Sequence, residues 1–488
     1  MIFRKRHKPA VIDEHTCKTW FEGCHDVKIE KQTIGKEETI TLLLIYCTSL
    51  INTEELRKTI LPHFSERLNP DFSGDPKEIQ ARIMYPITPI SSENLQKTIV
   101  EKVFEGGLII VFPNHLVYTL DISNLPKRSV ETQITEVSVR GARDGFIEEI
   151  DTNIGLIRKR LKTDSLSCEE FVIGKRTKTR VGLLYLKDVV ADDTINDVRA
   201  RIREIKVDGV VSNTQIEELI TDNQYSIFPL VEYTGRPDFA TNCLLHGRFI
   251  ILVEGSPTVT IGPVSLPFFV NNAEDQHTLF FTASFERLLR YLGFAIAILL
   301  PGFWIALLSF HPDQIPYTLL ATVSLSRQGV PFPAPLEGLF MITVFELLRE
   351  AGLRLPSAFG QTLSVVGGLI IGQAAISSGV TSPGTIVAIA ISVVSTFILV
   401  NQSLTGTVSV LRYFVFLLSS TFGIIGFIGS IFIILTYVVN LRSFGLYYLT
   451  PYAPPVAGSI ISATVRKRFK NLKKRPKELG LRDRTRKE

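Results

Sequence analysis

Over its longest uninterrupted stretch this sequence lacks charge altogether. From Ser357 to Leu411, roughly 55 residues, there is no Asp, Glu, Lys, Arg or His, whereas a bilayer-spanning helix needs only about 20 residues. Unpaired ionised groups are costly at bilayer depth, so such a run is one solvated by lipid and by other helices. The chain therefore reads as an integral membrane protein. Cysteine is also scarce: there are five, an odd number, spread from Cys17 to Cys243. That excludes the disulfide framework of a small secreted domain. His15, Cys17, Cys24 and His25 lack the tight Cys-x2-4-Cys spacing of a zinc knuckle, and no metal is expected there. The basic stretch Met1 to Lys8 is followed by Val11 to His15, where a signal peptide would carry its apolar core, so no cleaved export signal is read. Catalytic signatures are missing too. Gly174-Lys175-Arg176-Thr177 has the ending of a phosphate loop without its upstream glycine, and no nucleophile–base pair accompanies it. The expectation is a protein that is not an enzyme and uses no cofactor.

Charge is distributed unevenly. Arg466 to Glu488 holds twelve Lys or Arg against three acids, a net +9 in a chain whose total is +5, so residues 1–465 are net negative. A basic tail after the last apolar segment places the C-terminus on the cytoplasmic side. Residues 457–488 are expected to be a solvated cytoplasmic tail that touches anionic membrane lipid rather than nucleic acid. A soluble region preceding the first span without an export signal is likewise expected in the cytoplasm.

The soluble half predicts an α/β domain of two related subdomains, a duplication. Residues 1–35 read as a flexible N-terminal arm, 36–140 as the first subdomain, and 141–285 as a linking helix with the second. Thr41 to Ile51 is an apolar strand followed by Asn52-Thr53-Glu54-Glu55, a helix start. Ser91 to Phe104 is a helix closed by Gly106-Gly107, and Leu108 to Phe112 pairs with Leu116 to Leu120 as a hairpin. The order recurs with a strand at Arg180 to Val190, helices from Asp192 and Pro237, and a hairpin of Phe249 to Val253 with Thr258 to Ile261. Tyr46 then matches Tyr185, and Gly107 matches Gly247. Between the units, Asp144 to Lys162 carries apolar residues at helical spacing, acids early and Arg158, Lys159, Arg160 and Lys162 late, which complements the helix dipole; docking through its charged face is the second reading.

The membrane half, 286–456, predicts an α-helical transmembrane domain of four or five segments: Tyr291 to Phe310 with a kink at Pro301-Gly302, Ser357 to Ser378, Pro383 to Val400, and Tyr413 to Val439 with breaks available at Gly423, Gly426 and Gly429. Leu336 to Glu350 contains Glu337 and Glu346, and two cytoplasmic termini are met if it does not span. Ser357, Gln361, Ser364, Val365, Gly368, Gly372 and Ala375 share one helical stripe. One reading is close packing of small residues inside a subunit. The other is a pore in an oligomer, lined by Gln361, Ser364, Val365, Gly368, Gly372 and Ala375, with Val365 as an apolar constriction. Glu337 and Glu346 are the candidates for ion selectivity or coupling, Glu346 being alternatively a solvated residue of an interfacial helix paired to Arg349.

Several motifs occur together in a recognisable order: Asp144 to Lys162, Arg236-Pro237-Asp238, Gly247-Arg248, Gly255-Ser256-Pro257, Pro331-Phe332-Pro333, and above all the stretch Phe345 to Pro356, FELLREAGLRLP. They resemble the A subunit of GerA-type spore germination receptors over about Thr41 to Val456. The resemblance implies a nutrient germinant receptor in the spore inner membrane, with a B subunit resembling amino-acid transporters and a lipoprotein C subunit. It also implies that the A subunit forms a homo-oligomer acting as a ligand-gated channel that releases cations. A secondary transporter of the nutrient, or a non-conducting scaffold, is the alternative reading.

Overall fold

The computed structural model describes residues 12–34, 40–67, 83, 85–90, 94–114, 116–124, 142, 144–271, 273–276, 278–354, 370–399, 401–468 and 473–486. It divides into two units. The first takes in the chain up to Thr221, Tyr233–Pro263 and the segment from Lys473; the second takes in Asp222–Glu232 and Val264–Leu472.

The first unit holds two five-stranded sheets. Strands β1 (Val27–Ile34), β2 (Ile40–Cys47), β3 (Ile87–Pro89), β4 (Gly107–Val111) and β5 (Val117–Asp121) lie in the order β1-β2-β4-β5-β3. Strands β6 (Leu166–Ile173), β7 (Thr179–Leu186), β8 (Glu232–Thr234), β9 (Phe249–Val253) and β10 (Val259–Gly262) lie in the order β6-β7-β9-β10-β8. Position for position the two orders are the same.

The apolar runs form strands because both sheet faces are covered. In β2, Leu42, Leu44 and Tyr46 enter one core with Leu56, Ile60 and Phe64, while Leu43, Ile45 and Cys47 enter the opposite core with Ile99, Val103 and Phe104. This is the period-two alternation of a strand, made continuous by burial on each side. Both expected hairpins form, with Leu108 opposite Leu120 and Val259 opposite Leu252. Asn52 caps its helix by accepting from the Glu55 amide at 3.1 Å.

Side chains repeat as well. Tyr46 Oη donates to Glu30 Oε2 at 3.2 Å, and Tyr185 Oη to Glu169 Oε1 at 2.6 Å; burial, then the adjacent carboxylate, pushes both phenols upward. Arg57 lies beside Tyr46 and Arg199 beside Tyr185. The glycine correspondence shifts by one: Gly106, with φ +92°, occupies the helix-ending position that Gly247 fills at φ +83°, since each follows a helix whose last carbonyls need a left-handed residue after them.

Three segments differ from expectation. Residues 12–34 are built into the first subdomain, with Cys17 and Cys24 buried and β1 paired to β2 along its whole length. The linking helix is confined to Ile150–Arg158, because Asn153 bonds both the amide and the carbonyl of Ile147 and holds the preceding residues out of the helix. Residues 473–486, expected as solvated tail, fold back on the second subdomain: Arg475 N donates to Arg484 O at 2.8 Å, Arg482 N to Val189 O at 3.0 Å, and Leu481 is buried over Gly247.

One ion pair joins the two subdomains. Arg158 from the linking helix donates to both oxygens of Asp26, at 2.7 and 2.8 Å, and lies 4.3 Å above the Phe104 ring. Both residues are buried, Arg158 at 0% and Asp26 at 2% exposure. Burial opposes the guanidinium charge, but Asp26 more than offsets it and Arg158 sits above its usual pKa.

In the second unit, among the described residues, two helices are long and apolar enough to cross a membrane: Phe280–Phe310 and Gln402–Asn440. Phe281, Phe285, Leu288 and Leu292 on the first, and Phe422, Ile425, Ile428 and Phe432 on the second, are exposed, as lipid-facing residues are and soluble surfaces rarely are. Gln402–Asn440 breaks at Gly423, with φ 62° and ψ −138°, where a Cβ would come within 2.9 Å of Phe310. Two apolar helices are shorter, Tyr317–Ser326 and Pro383–Thr396; the second, at 14 residues, is about 21 Å long and falls short of a hydrocarbon core of about 30 Å. Leu336 to Glu350 lies within a 21-residue helix, Ala334–Arg354, whose length of about 31 Å matches that core. Of the expected segment Ser357 to Ser378, residues 370–377 are helical and 357–369 lie outside the described residues.

Candidate functional site

Pro301 lies inside the Phe280–Phe310 helix. Proline has no N–H, so the carbonyl four residues earlier, on Ala297, loses its helical donor. In an apolar environment such a carbonyl must be satisfied by another group. Two groups do so: Ser392 Oγ at 2.8 Å and Arg412 Nε at 2.9 Å.

Arg412 comes from the Gln402–Asn440 helix and is buried. Its Nη2 donates to Thr396 Oγ1, and its Nη1 lies 3.7 Å from Glu346 Oε2. The other Glu346 oxygen pairs with Arg349. One guanidinium thus reaches acceptors on three other helices: Ala297 in Phe280–Phe310, Thr396 in Pro383–Thr396, and Glu346 in Ala334–Arg354. Its planar fork suits this task, which an ammonium would perform with fewer fixed directions.

Glu337, fully buried on the same helix as Glu346, makes a second polar centre. Its Oε1 accepts from Thr381 Oγ1 at 2.8 Å and from both the amide and the hydroxyl of Ser382 at 2.6 Å. Ser382 is the N-cap of Pro383–Thr396, so a carboxylate sits at the positive end of that helix dipole. Arg327 Nη2 lies 3.7 Å from the other oxygen.

Of the stripe residues, Gln361, Ser364, Val365 and Gly368 lie outside the described residues. Gly372 is within them, and a Cβ built there would meet nothing within 4 Å. Ala375 is buried in a cluster with Ile305, Met341, Ile389 and Phe416. Glu337 and Glu346 belong to separate networks, one at the start of their helix and one past its middle. Arg412, the first charge after the apolar run, is not among the site residues that the sequence singles out. The available signal was Pro301, which requires a donor for residue 297.

The α/β unit contains a cavity of about 600 Å³, lined by His25, Lys28, Tyr46, Arg57, Glu170 and Arg180 among others. Arg180 is held there by both oxygens of Asp151, at 2.8 and 2.9 Å. The lining is polar, and its residues come from separate stretches of both subdomains, which is why no local motif announces it.

The chain is similar in sequence to known proteins. Residues 15–478 match the Bacillus/Clostridium GerA spore germination protein family. The chain is 59% identical to spore germination protein XA of Bacillus anthracis over 97% of both chains. It is 32% identical to the uncharacterized membrane protein YfkQ of Bacillus subtilis strain 168, over 93% of this chain and 88% of that one. A solved structure, the N-terminal domain of the A subunit of the Bacillus megaterium spore germinant receptor GerK3, aligns with 51% of this chain and 92% of its own length at 23% identity and a TM-score of 0.37.

Proposed function

This chain belongs to the Bacillus/Clostridium GerA spore germination protein family, and we propose that it is the A subunit of a nutrient germinant receptor whose oligomer opens a path for small cations. The observation that carries the germination role is the match across nearly the whole length to spore germination protein XA. The conducting role is supported by the charge-free run and by ionisable groups maintained inside an apolar helical unit, where such groups mark ion pathways or coupling sites.

On this reading the segment from Ser357 to Ala375 lines the path in an assembled ring. Gln361 and Ser364 replace part of the ion's hydration and Val365 closes the path by excluding water. Glu337 and Glu346 act in coupling on the helix that leads into this segment. The two sheets of equal strand order, with their repeated tyrosine–glutamate pairs, are read as a duplication. A B subunit resembling amino-acid transporters senses the nutrient, a lipoprotein C subunit completes the receptor, and the complex resides in the spore inner membrane with the α/β unit in the cytoplasm.

The deciding experiment measures oligomeric state in a mild detergent together with cation flux from spores carrying Val365→Ala, Val365→Phe or Gln361→Ala. A ring with altered flux or leak at normal receptor abundance is the expected result. A monomer, or unchanged flux across the series, overturns the pore. Nutrient accumulation through this chain alone would favour a transporter, and an oligomer without flux a scaffold.

A further inference from the structure

We infer that Arg412 is a positioning residue of this gate: it holds Glu346 against the carbonyl that Pro301 leaves unbonded, and so ties the Glu346 helix to the Pro301 helix. The inference rests on reading the helical unit as a gated cation path.

The first ground is that the arginine exceeds what the proline requires. Ala297 O already accepts from Ser392 Oγ at 2.8 Å, and that bond would satisfy the carbonyl. A permanent charge buried among apolar helices is expensive and persists where it serves function. What Arg412 adds is reach, since its remaining nitrogens engage Thr396 and face Glu346.

The second ground is charge balance. Glu346 is opposed by two cations, Arg349 and Arg412. Its carboxylate is compensated from both sides, which suits an element held in place until the joint moves. The contacts on the Pro301 side are close: a Cβ at Gly302 would meet Val415 Cγ1 at 2.7 Å, and the Arg412–Ala297 bond is 2.9 Å. The Glu346 side is looser at 3.7 Å, so it is the side that can part.

The third ground is placement. Glu346 lies on the helix Ala334–Arg354, which immediately precedes the charge-free segment in the sequence. Phe280–Phe310 is the first long helix after Val264, where the chain enters the helical unit for its main passage. Arg412 therefore links the helix nearest in sequence to the α/β unit with the helix nearest to the pore segment.

The test uses the full chain in spores with its natural receptor partners. Arg412→Lys, Arg412→Gln, Glu346→Gln, the Arg412→Gln/Glu346→Gln double and Pro301→Ala are compared for abundance in the membrane, nutrient concentration at half-maximal ion release, and release without nutrient. At normal abundance, Arg412→Lys should shift the half-maximal concentration by about threefold or more, or raise nutrient-independent release, the scale of an allosteric coupling. Glu346→Gln should shift it in the same direction, and the double variant no further than Arg412→Gln alone. Pro301→Ala restores an N–H to Ala297 O in competition with Arg412 and should shift it likewise. A wild-type response in Arg412→Lys and Pro301→Ala, or full additivity of Glu346→Gln with Arg412→Gln, overturns the inference. Should Arg412→Gln fail to accumulate, Arg412→Lys, Pro301→Ala and a Glu346→Gln/Arg412→Lys double decide in its place. Absence of cation flux through the wild-type oligomer in vesicles would instead refute the channel reading, and the same variant series scored by loss of spore refractility would still report the joint.

Discussion

Removing Asp26 should unhinge the two α/β subdomains without disturbing either sheet. In Asp26→Asn the carboxamide keeps the shape and one acceptor oxygen but no charge, so Arg158 stays charged and buried without a counter-ion, beside Thr163 O at 3.1 Å and the Phe104 face. Breaking a buried ion pair by one partner costs about 3–5 kcal/mol; the surviving contacts place this variant at the lower end, about 3 kcal/mol. Arg158→Met should cost a similar amount, because Asp26 is then left with the weak Cys47 thiol donor. The double variant should cost less than either single variant, since no uncompensated charge remains. Trp20 and Trp304 are the two tryptophans, so a Trp304→Phe background leaves Trp20, packed against the core around Phe104, as reporter of the α/β unit. Urea titration of the full chain in detergent should show Asp26→Asn lowering the midpoint by about 1 M, taking a slope of about 3 kcal/mol per M for a unit of this size. A shift below about 0.3 M for Arg158→Met, or strict additivity in the double variant, would refute the claim that this pair staples the subdomains.

Gly247→Ala should loosen the C-terminal hairpin, since its Cβ would clash with Leu481 Cδ2 in a backbone at φ +83°; faster proteolysis within 473–486, at unchanged folding of the sheets, is the expected readout. His246 accepts from Arg486 and is depressed to about 4, first by burial and then by Arg486. Its unfolded pKa is about 6.5, so its contribution of at most about 3 kcal/mol is present above that pH and is lost as pH falls through 4. His246→Gln should flatten the acid limb of a stability–pH profile, and an unchanged limb would count against it. Glu337→Ala takes the acceptor from the Thr381 hydroxyl and the Ser382 amide, at about 1–3 kcal/mol per buried group, and should lower the thermal aggregation temperature in detergent, with Glu337→Gln intermediate; equal values for both would show that the carboxylate is not the partner that matters.

The parts of the fold legible in the sequence were those written in local alternation. β2, β4, β7 and β9 are apolar runs bounded by turn residues, and the glycines after two helices announce the strands that follow. Residues whose roles depend on distant chain were misjudged. Arg158 reads as one of several solvated charges at a helix end, yet it is the buried one, because its acceptor lies at residue 26. Residues 473–486 read as solvent-loving by charge alone, while Leu479 and Leu481, two apolar residues in a basic stretch, seat the hairpin. In the helical unit Glu337 and Glu346 were identifiable as ionisable groups among apolar neighbours. Their separation into two networks was not, because it depends on Arg412 and on Thr381 with Ser382.

The hairpin of residues 473–486 also has a consequence for synthesis. Every apolar helix of the second unit lies between Pro263 and this hairpin in the chain, yet the hairpin belongs to the first unit. A ribosome delivers the sheets first, then the hydrophobic helices, and only after them the piece that covers Gly247. Domains commonly complete in the order they are made; here the α/β unit receives its last component after the helical segments have left the ribosome, so an intact hairpin certifies that the whole chain between has been translated.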